Sequence, residues 1–181
     1  MPNPLRTTVF DTLLLAAFAL IPIAISIFWL QGLSLRLDEA QSLWQTSRSP
    51  EALINVIARD VHVPLYHLVL HTWRELSDSV EFARILSLVF FLLTIPATYA
   101  LGKISYSRTV GLFAALLLAL SPFMNWYGNE IRMYTLFVLL ATLNQYFFIR
   151  IFQQQDTASW ILFYLTAALG VFAHSVFVLR M

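Results

Sequence analysis

The chain has no cysteine and little charge: only 12% of its 181 residues are Asp, Glu, Lys or Arg. The missing cysteines exclude disulfides and thiolate metal sites. The net charge is only +1, and there is no basic arm and no interleaving of basic with aromatic residues. That argues against nucleic acid as a partner. Internal repeats and low-complexity tracts are also lacking. What the chain has instead is apolar surface, 59% hydrophobic and 15% aromatic, more than a soluble domain carries.

That apolar content falls into runs. About 18 or more apolar residues in succession read as a transmembrane helix. No charge lies between Asp11 and Arg36, and the run LLLAAFALIPIAISIFWL inside that interval is long enough to cross. Trp29, Leu30 and Gln31 offer no small-x-small cleavage pattern, so residues 8–31 read as an uncleaved first span, with Pro22 a potential kink. Four further spans follow within 82–181, at roughly 85–102, 110–127, 131–149 and 160–179. The expected fold class is all-α integral membrane, a single membrane domain over 1–181 with about five transmembrane helices. Between the first and second spans lies a long outer loop, 32–81, with amphipathic interfacial helices.

One such helix is expected at 64–76. Leu65, Leu68, Val69, Thr72, Trp73 and Leu76 share one helical face, and His67, His71 and Glu75 share another. The stretch is amphipathic and too short to span, as an interfacial helix is. Ser49, Pro50 and Glu51 read as the start of another helix, with Ser49 at the N-cap and Pro50 at the first position.

Five spans also fix sides. Arg6, Lys103, Arg108 and Arg150 all fall on one side, which the positive-inside rule makes cytoplasmic, together with the N-terminus. The loop 32–81 is then extracytoplasmic, as are the turn before Glu130 and the end of the chain. That loop holds seven of the ten acidic residues against four arginines, for a net charge of −3. A connection of about fifty residues is far beyond the usual length, and long ordered loops commonly carry function.

The most telling feature of the loop is the adjacent acidic pair Asp38 and Glu39, just past the first span. Two neighbouring carboxylates are costly to keep dry, so they face water, a partner or a metal. Parity gathers other polar residues on the same side: Asp60 with His62, His67 with His71, then Asn129, Glu130, Arg132 and Tyr134, and His174 in the last span. Glu130 and Tyr134 stand four residues apart and are expected to share a face of the fourth helix. Such a set suits general-base removal of a hydroxyl proton, or the holding of a divalent cation with Asp38 and Glu130 as its oxygen ligands. Nearby arginines suit phosphate.

Each residue also has a plainer reading. Asp38 and Glu39 can be a solvated pair or cap a helix. Asp60 and His62 can form a turn before Pro64, and His67 with His71 can be a polar interfacial face rather than metal ligands. Glu130 and Arg132 can reach lipid headgroups, and His174 can be a satisfied bundle histidine. Arg84, Trp126 and Tyr127 read as interface anchors.

The order of the motifs resembles a known family. Leu37, Asp38, Glu39 and Ala40 give L-D-E-A, and residues 60–67 give D-V-H-V-P-L-Y-H. Ser121 and Pro122 lead to E-I-R-M-Y at 130–134, and Phe172, Ala173 and His174 follow near the end. This series resembles the GT-C glycosyltransferases, closest to the protein mannosyltransferase/aminoarabinose transferase-like superfamily. Members often carry two prolines after the histidine, and Val63 replaces the first here. The resemblance spans nearly the whole chain but only the N-terminal part of the family, so the domain is expected to be part of a larger GT-C module.

The resemblance implies a membrane glycosyltransferase that moves a sugar from a polyprenyl-phosphate donor to a lipid, glycan or protein acceptor on the extracytoplasmic face. It implies Asp38 as the catalytic carboxylate, with Glu39 assisting it or orienting its partners and Glu130 as a second acid. Asp60, His62, Arg132, Tyr134 and His174 would contact substrate. A divalent metal is an open option within the family. Bacterial inner membrane is the implied location, with membrane lipid and a second membrane subunit as further partners. The other class is a non-catalytic lipid-phosphate-binding subunit or an inactive fragment. A transporter fits less well, because no span carries mid-membrane charge.

The topology makes a direct prediction. A reporter fused at Ser107 is expected to score cytoplasmic, and an extracytoplasmic signal there would overturn the five-span arrangement.

Overall fold

The computed structural model describes residues 4–30, 32–58 and 64–174. Among these residues every regular element is helical. The elements are α1 (Pro4–Leu30), α2 (Leu37–Thr46), α3 (Pro50–Ile57), α4 (Pro64–Arg74) and α5 (Val80–Ser105), then α6 (Arg108–Leu120), α7 (Pro122–Gly128), α8 (Tyr134–Gln154) and α9 (Thr157–Ala173). Helix α1 runs on through Pro22. Many large apolar side chains of α1 and α9 face outward, among them Leu13, Phe28, Ile161 and Tyr164. Hydrocarbon as the solvent explains that surface.

Three helices are long and apolar enough to cross a membrane: Thr8–Trp29 within α1, then α5 and α8. The expected third span, 110–127, is instead two helices, α6 and α7, bent by 60°. The break is local chemistry. Pro122 lacks an N–H and pushes Ser121 out of the helical region, to φ −60° and ψ 119°. The Ser121 hydroxyl then caps α7 by accepting from the Met124 N–H at 3.4 Å. Asn125 holds the bend, donating through Nδ2 to the carbonyls of Ala119 at 2.8 Å and Ser121 at 2.9 Å. Helix α9 is apolar but has 17 residues, about 26 Å of rise against a hydrocarbon core of about 30 Å. His174 follows it directly, not inside a span as expected. It stands extended at the C-cap, donating its N–H to the Gly170 carbonyl at 3.0 Å.

Helix α5 is the hub, packing on α1, α4, α6, α7 and α8. One apolar cluster joins Tyr66 and Leu70 of α4 to Ala83, Leu86, Ile131, Leu136 and Ala173. A second joins Phe91 and Ile95 of α5 to Ala115, Ala119 and Met124. At the other end of α5, the hairpin into α6 is closed by two glycines. A Cβ on Gly111 would lie 2.5 Å from the Tyr99 carbonyl oxygen, and one on Gly102 would lie 2.7 Å from the Gly111 Cα. Small residues permit such backbone approach between membrane helices.

Helix α4 is short and amphipathic, as expected, but its polar side turns inward. Tyr66, His67 and Leu70 are buried, whereas Thr72, Glu75 and Leu76 are exposed. His71 Nδ1 meets the Thr46 carbonyl at 2.9 Å, and Arg74 donates to the Leu43 carbonyl at 2.9 Å and to Thr46 Oγ1 at 3.0 Å. These bonds draw the polar side onto α2 and leave Leu68, Val69, Thr72, Trp73 and Leu76 lining an open outer groove. Helix α3 begins at Pro50 with Ser49 at the N-cap position, as its sequence predicts, although the serine side chain makes no capping bond.

The glycine contact sets a stability prediction. Gly111→Ala is expected to destabilise the protein by about 1–3 kcal/mol, the usual cost of overpacking, read as a lower melting temperature in detergent.

Candidate functional site

The two neighbouring acids of α2 have separate fates. Glu39 is 1% exposed. Its Oε1 accepts from Arg84 Nε at 3.0 Å and from the Ile131 N–H at 3.2 Å, and its Oε2 accepts from Arg84 Nη2 at 2.8 Å and the Arg36 N–H at 3.1 Å. The bond from Arg36 is half of a capping box, since Glu39 stands at the third position of α2. Arg84 completes its own fork on the carbonyls of Leu33 at 3.1 Å and Ser34 at 3.2 Å. The carboxylate and the guanidinium are therefore both buried and both saturated. Burial pushes the Glu39 carboxyl up, but the Arg84 bonds and the two backbone N–H groups outweigh it and hold it below its ordinary value.

Asp38 faces the other way. It is exposed, and no described residue bonds or ion-pairs its carboxylate. Its place in the first turn of α2 is also favourable to the helix dipole.

Glu130 closes the same cluster. It is nearly buried, ion-paired with Arg36, and accepts from Trp126 Nε1 at 2.8 Å. The Arg36 guanidinium lies 5.1 Å from the Trp126 ring centre, and Trp29 meets that ring edge-on at 5.9 Å. The start of α2 is thus tied to the segment at 130–131 through Arg36 on one side and through Glu39 and the Ile131 N–H on the other. Trp29, Arg36, Glu39, Arg84, Trp126 and Glu130 surround a cleft of only about 20 Å³, room for one water molecule.

The expected helical pairing of Glu130 with Tyr134 does not occur. Glu130 and Arg132 lie in a non-helical link between α7 and α8, which starts at Tyr134. The link forms because Glu39 captures the Ile131 N–H, and Ser87 Oγ donates to the Arg132 carbonyl at 3.4 Å. Tyr134 and His174 do come together, with ring centres 6.4 Å apart, and Arg132 lies 5.9 Å from the Tyr134 ring centre. Asp60 and His62 fall outside the described residues.

Among the described residues no group of three or more His, Asp or Glu side chains is placed to hold a metal ion. Glu130 already meets a cation in Arg36. The described donors do not by themselves fit a divalent ion.

Arg36 is the member that sequence reasoning passed over, and Arg84 and Trp126, read there as interface anchors, instead bond Glu39 and Glu130. A signal for Arg84 was present: a lone arginine near the start of an apolar span calls for a buried acid, and Glu39 is its match.

Helical spans with a charged cluster at one end define an integral membrane protein. Residues 61–179 match the model of the dolichyl-phosphate-mannose-protein mannosyltransferase family, and the chain belongs to that family of membrane glycosyltransferases. Arg84 and Glu130 lie inside the matched stretch, and Asp38 and Glu39 lie before it. No curated protein and no solved structure matches the chain.

The buried pair yields two checks. Arg84→Met strands the Glu39 charge and is expected to cost about 3–5 kcal/mol, with much of that recovered in the Arg84→Met/Glu39→Gln double variant. Because folding lowers the Glu39 pKa, its contribution is complete above the ordinary value of 4.5 and is lost as pH falls through the folded value. Melting temperature against pH should therefore drop more steeply below about 4.5 in the native protein than in Glu39→Gln.

Proposed function

We propose that this chain is the part of an extracytoplasmic-face glycosyltransferase that carries the catalytic base, acting on a sugar linked to polyprenyl phosphate. The observation that carries the reading is the division of labour between Asp38 and its neighbours. Glu39 and Glu130 are committed to arginines, and Asp38 alone of the three presents an unengaged carboxylate beside them. In the reaction an acceptor hydroxyl attacks the anomeric carbon, the bond from that carbon to the phosphate oxygen breaks, and polyprenyl phosphate leaves with the electron pair. The hydroxyl proton passes to Asp38, as general-base catalysis requires. Glu39 is a positioning residue, since its bonds fix the start of α2 and with it Asp38.

Arg36 and Arg132 are the guanidinium groups suited to the departing phosphate, and Tyr134 with His174 forms an aromatic wall beside Arg132. Asp60 and His62 belong to the substrate side on the strength of their motif. No step above calls on a divalent cation: of its expected ligands, Asp38 is exposed and Glu130 is already paired with Arg36. The acidic loop then lies outside a bacterial inner membrane, with the N-terminus cytoplasmic, and the acceptor is a lipid, glycan or protein.

A second reading is a non-catalytic subunit that binds lipid-linked phosphate. The small cleft favours it, because about 20 Å³ cannot admit a sugar. In membranes supplied with a polyprenyl-phosphate sugar, Asp38→Asn is expected to lower transfer at least about a hundredfold. Its melting temperature should change little, since only an exposed charge in the first turn of α2 is lost. Transfer that survives Asp38→Asn refutes the base assignment. Crosslinking to a photoreactive polyprenyl phosphate without any turnover supports the subunit.

A further inference from the structure

The opposite end of α5 holds a second polar site that the glycosyl-transfer reading does not use. Lys103 lies nineteen residues after Arg84 on the same helix, about 28 Å along the axis, close to a hydrocarbon thickness of about 30 Å. The two polar ends therefore sit at opposite membrane surfaces. Here Tyr99, Ala100, Lys103, Ile104, Tyr146 and Gln154 line a cleft of about 400 Å³ between α5 and α8.

No carboxylate lines this cleft. Asp11, bonded to the lining residue Tyr99, is consumed by Arg108 Nε at 2.7 Å and by the Tyr99 hydroxyl at 2.5 Å. Asp156 is occupied with Ser159, accepting from its N–H at 2.8 Å and its hydroxyl at 2.7 Å, and it lies 3.5 Å from Arg150. Gln154 has its Oε1 engaged by Arg150 Nε at 2.9 Å, so the free end of its amide is the donating NH2. The Tyr146 hydroxyl bonds no described residue. Lys103 makes no close ion pair with a carboxylate among the described residues; its ammonium lies 5.4 Å from the Tyr99 ring centre, within electrostatic range of the Tyr99 hydroxyl and of Asp11, whose carboxylate is bonded to Arg108. The lining thus offers one cation and two sets of hydrogen-bond donors, with its acids already neutralised. That is the complement of a group with charge and several acceptor oxygens.

We infer that this cleft binds the phosphate of an anionic lipid headgroup in the leaflet opposite Asp38, with Lys103 supplying the charge and Gln154 and Tyr146 the hydrogen bonds. A membrane-surface position next to a span gives a phospholipid ready access, whereas free phosphate shares the chemistry but not the anchoring tails.

The test uses the full chain in detergent, with phosphatidylglycerol and phosphatidylcholine as probes in native mass spectrometry. Phosphatidylglycerol should be retained preferentially. The Lys103→Ala/Gln154→Ala variant should lose about tenfold in retention, and Lys103→Arg should keep it. Equal retention of the two lipids, or an unaltered double variant, overturns the site. Displacement by inorganic phosphate overturns the lipid as its source. A check on the unaltered protein guards against misfolded variants. Lys103 is the only lysine in the chain, so amine labelling read on the peptide that carries it, separate from the N-terminal amine, reports on it directly. Phosphatidylglycerol should slow that labelling and phosphatidylcholine should not, and equal rates refute the proposal.

Discussion

The pairing of Glu39 with Arg84 is the constraint on which the outer half of the molecule depends. Four hydrogen bonds converge on one buried carboxylate, from a helix start, a membrane span and the link before α8. An ion pair this deeply buried is not a simple source of stability, because both groups must be stripped of water. What it supplies is position. These bonds tie the start of α2 to α5 and to residue 131 at once.

That placement leaves Asp38 exposed one residue away from a saturated acid. It also explains why α4 lies with its histidines inward. Thr46 and Leu43 of the fixed α2 present carbonyls, and His71 and Arg74 of α4 are the donors that reach them. At the far end of α5, Asp11 does for Tyr99 and Arg108 what Glu39 does for Arg84, binding α1 to the α5–α6 hairpin. Both ends of the hub helix are thus held by charge neutralised within the protein, as a low-dielectric surrounding demands.

Much of this was legible in the residues. Long apolar runs have no stable place but lipid, so the helical membrane class and spans such as α5 followed from composition and length. The short amphipathic α4 and the start of α3 at Pro50 were likewise local matters of periodicity and proline geometry. The break at Ser121 and Pro122 was equally local, and an apolar run long enough to cross concealed it. Glu130 was harder. Four-residue spacing put it on a helix with Tyr134, but the backbone there is drawn off by Glu39, which takes the Ile131 N–H from 92 positions earlier.

Hydropathy and motif order alone determined that this chain is a membrane helical protein with its acids concentrated after the first span, because transfer out of water acts residue by residue. The roles of Asp38 and Glu39 were a different matter. Two adjacent acids have the same intrinsic chemistry, and only the arrival of Arg84 from a distant helix makes one a structural anchor while the other stays open. Partner choice between remote charges depends on distances set by packing, and those exist only once the helices have come together.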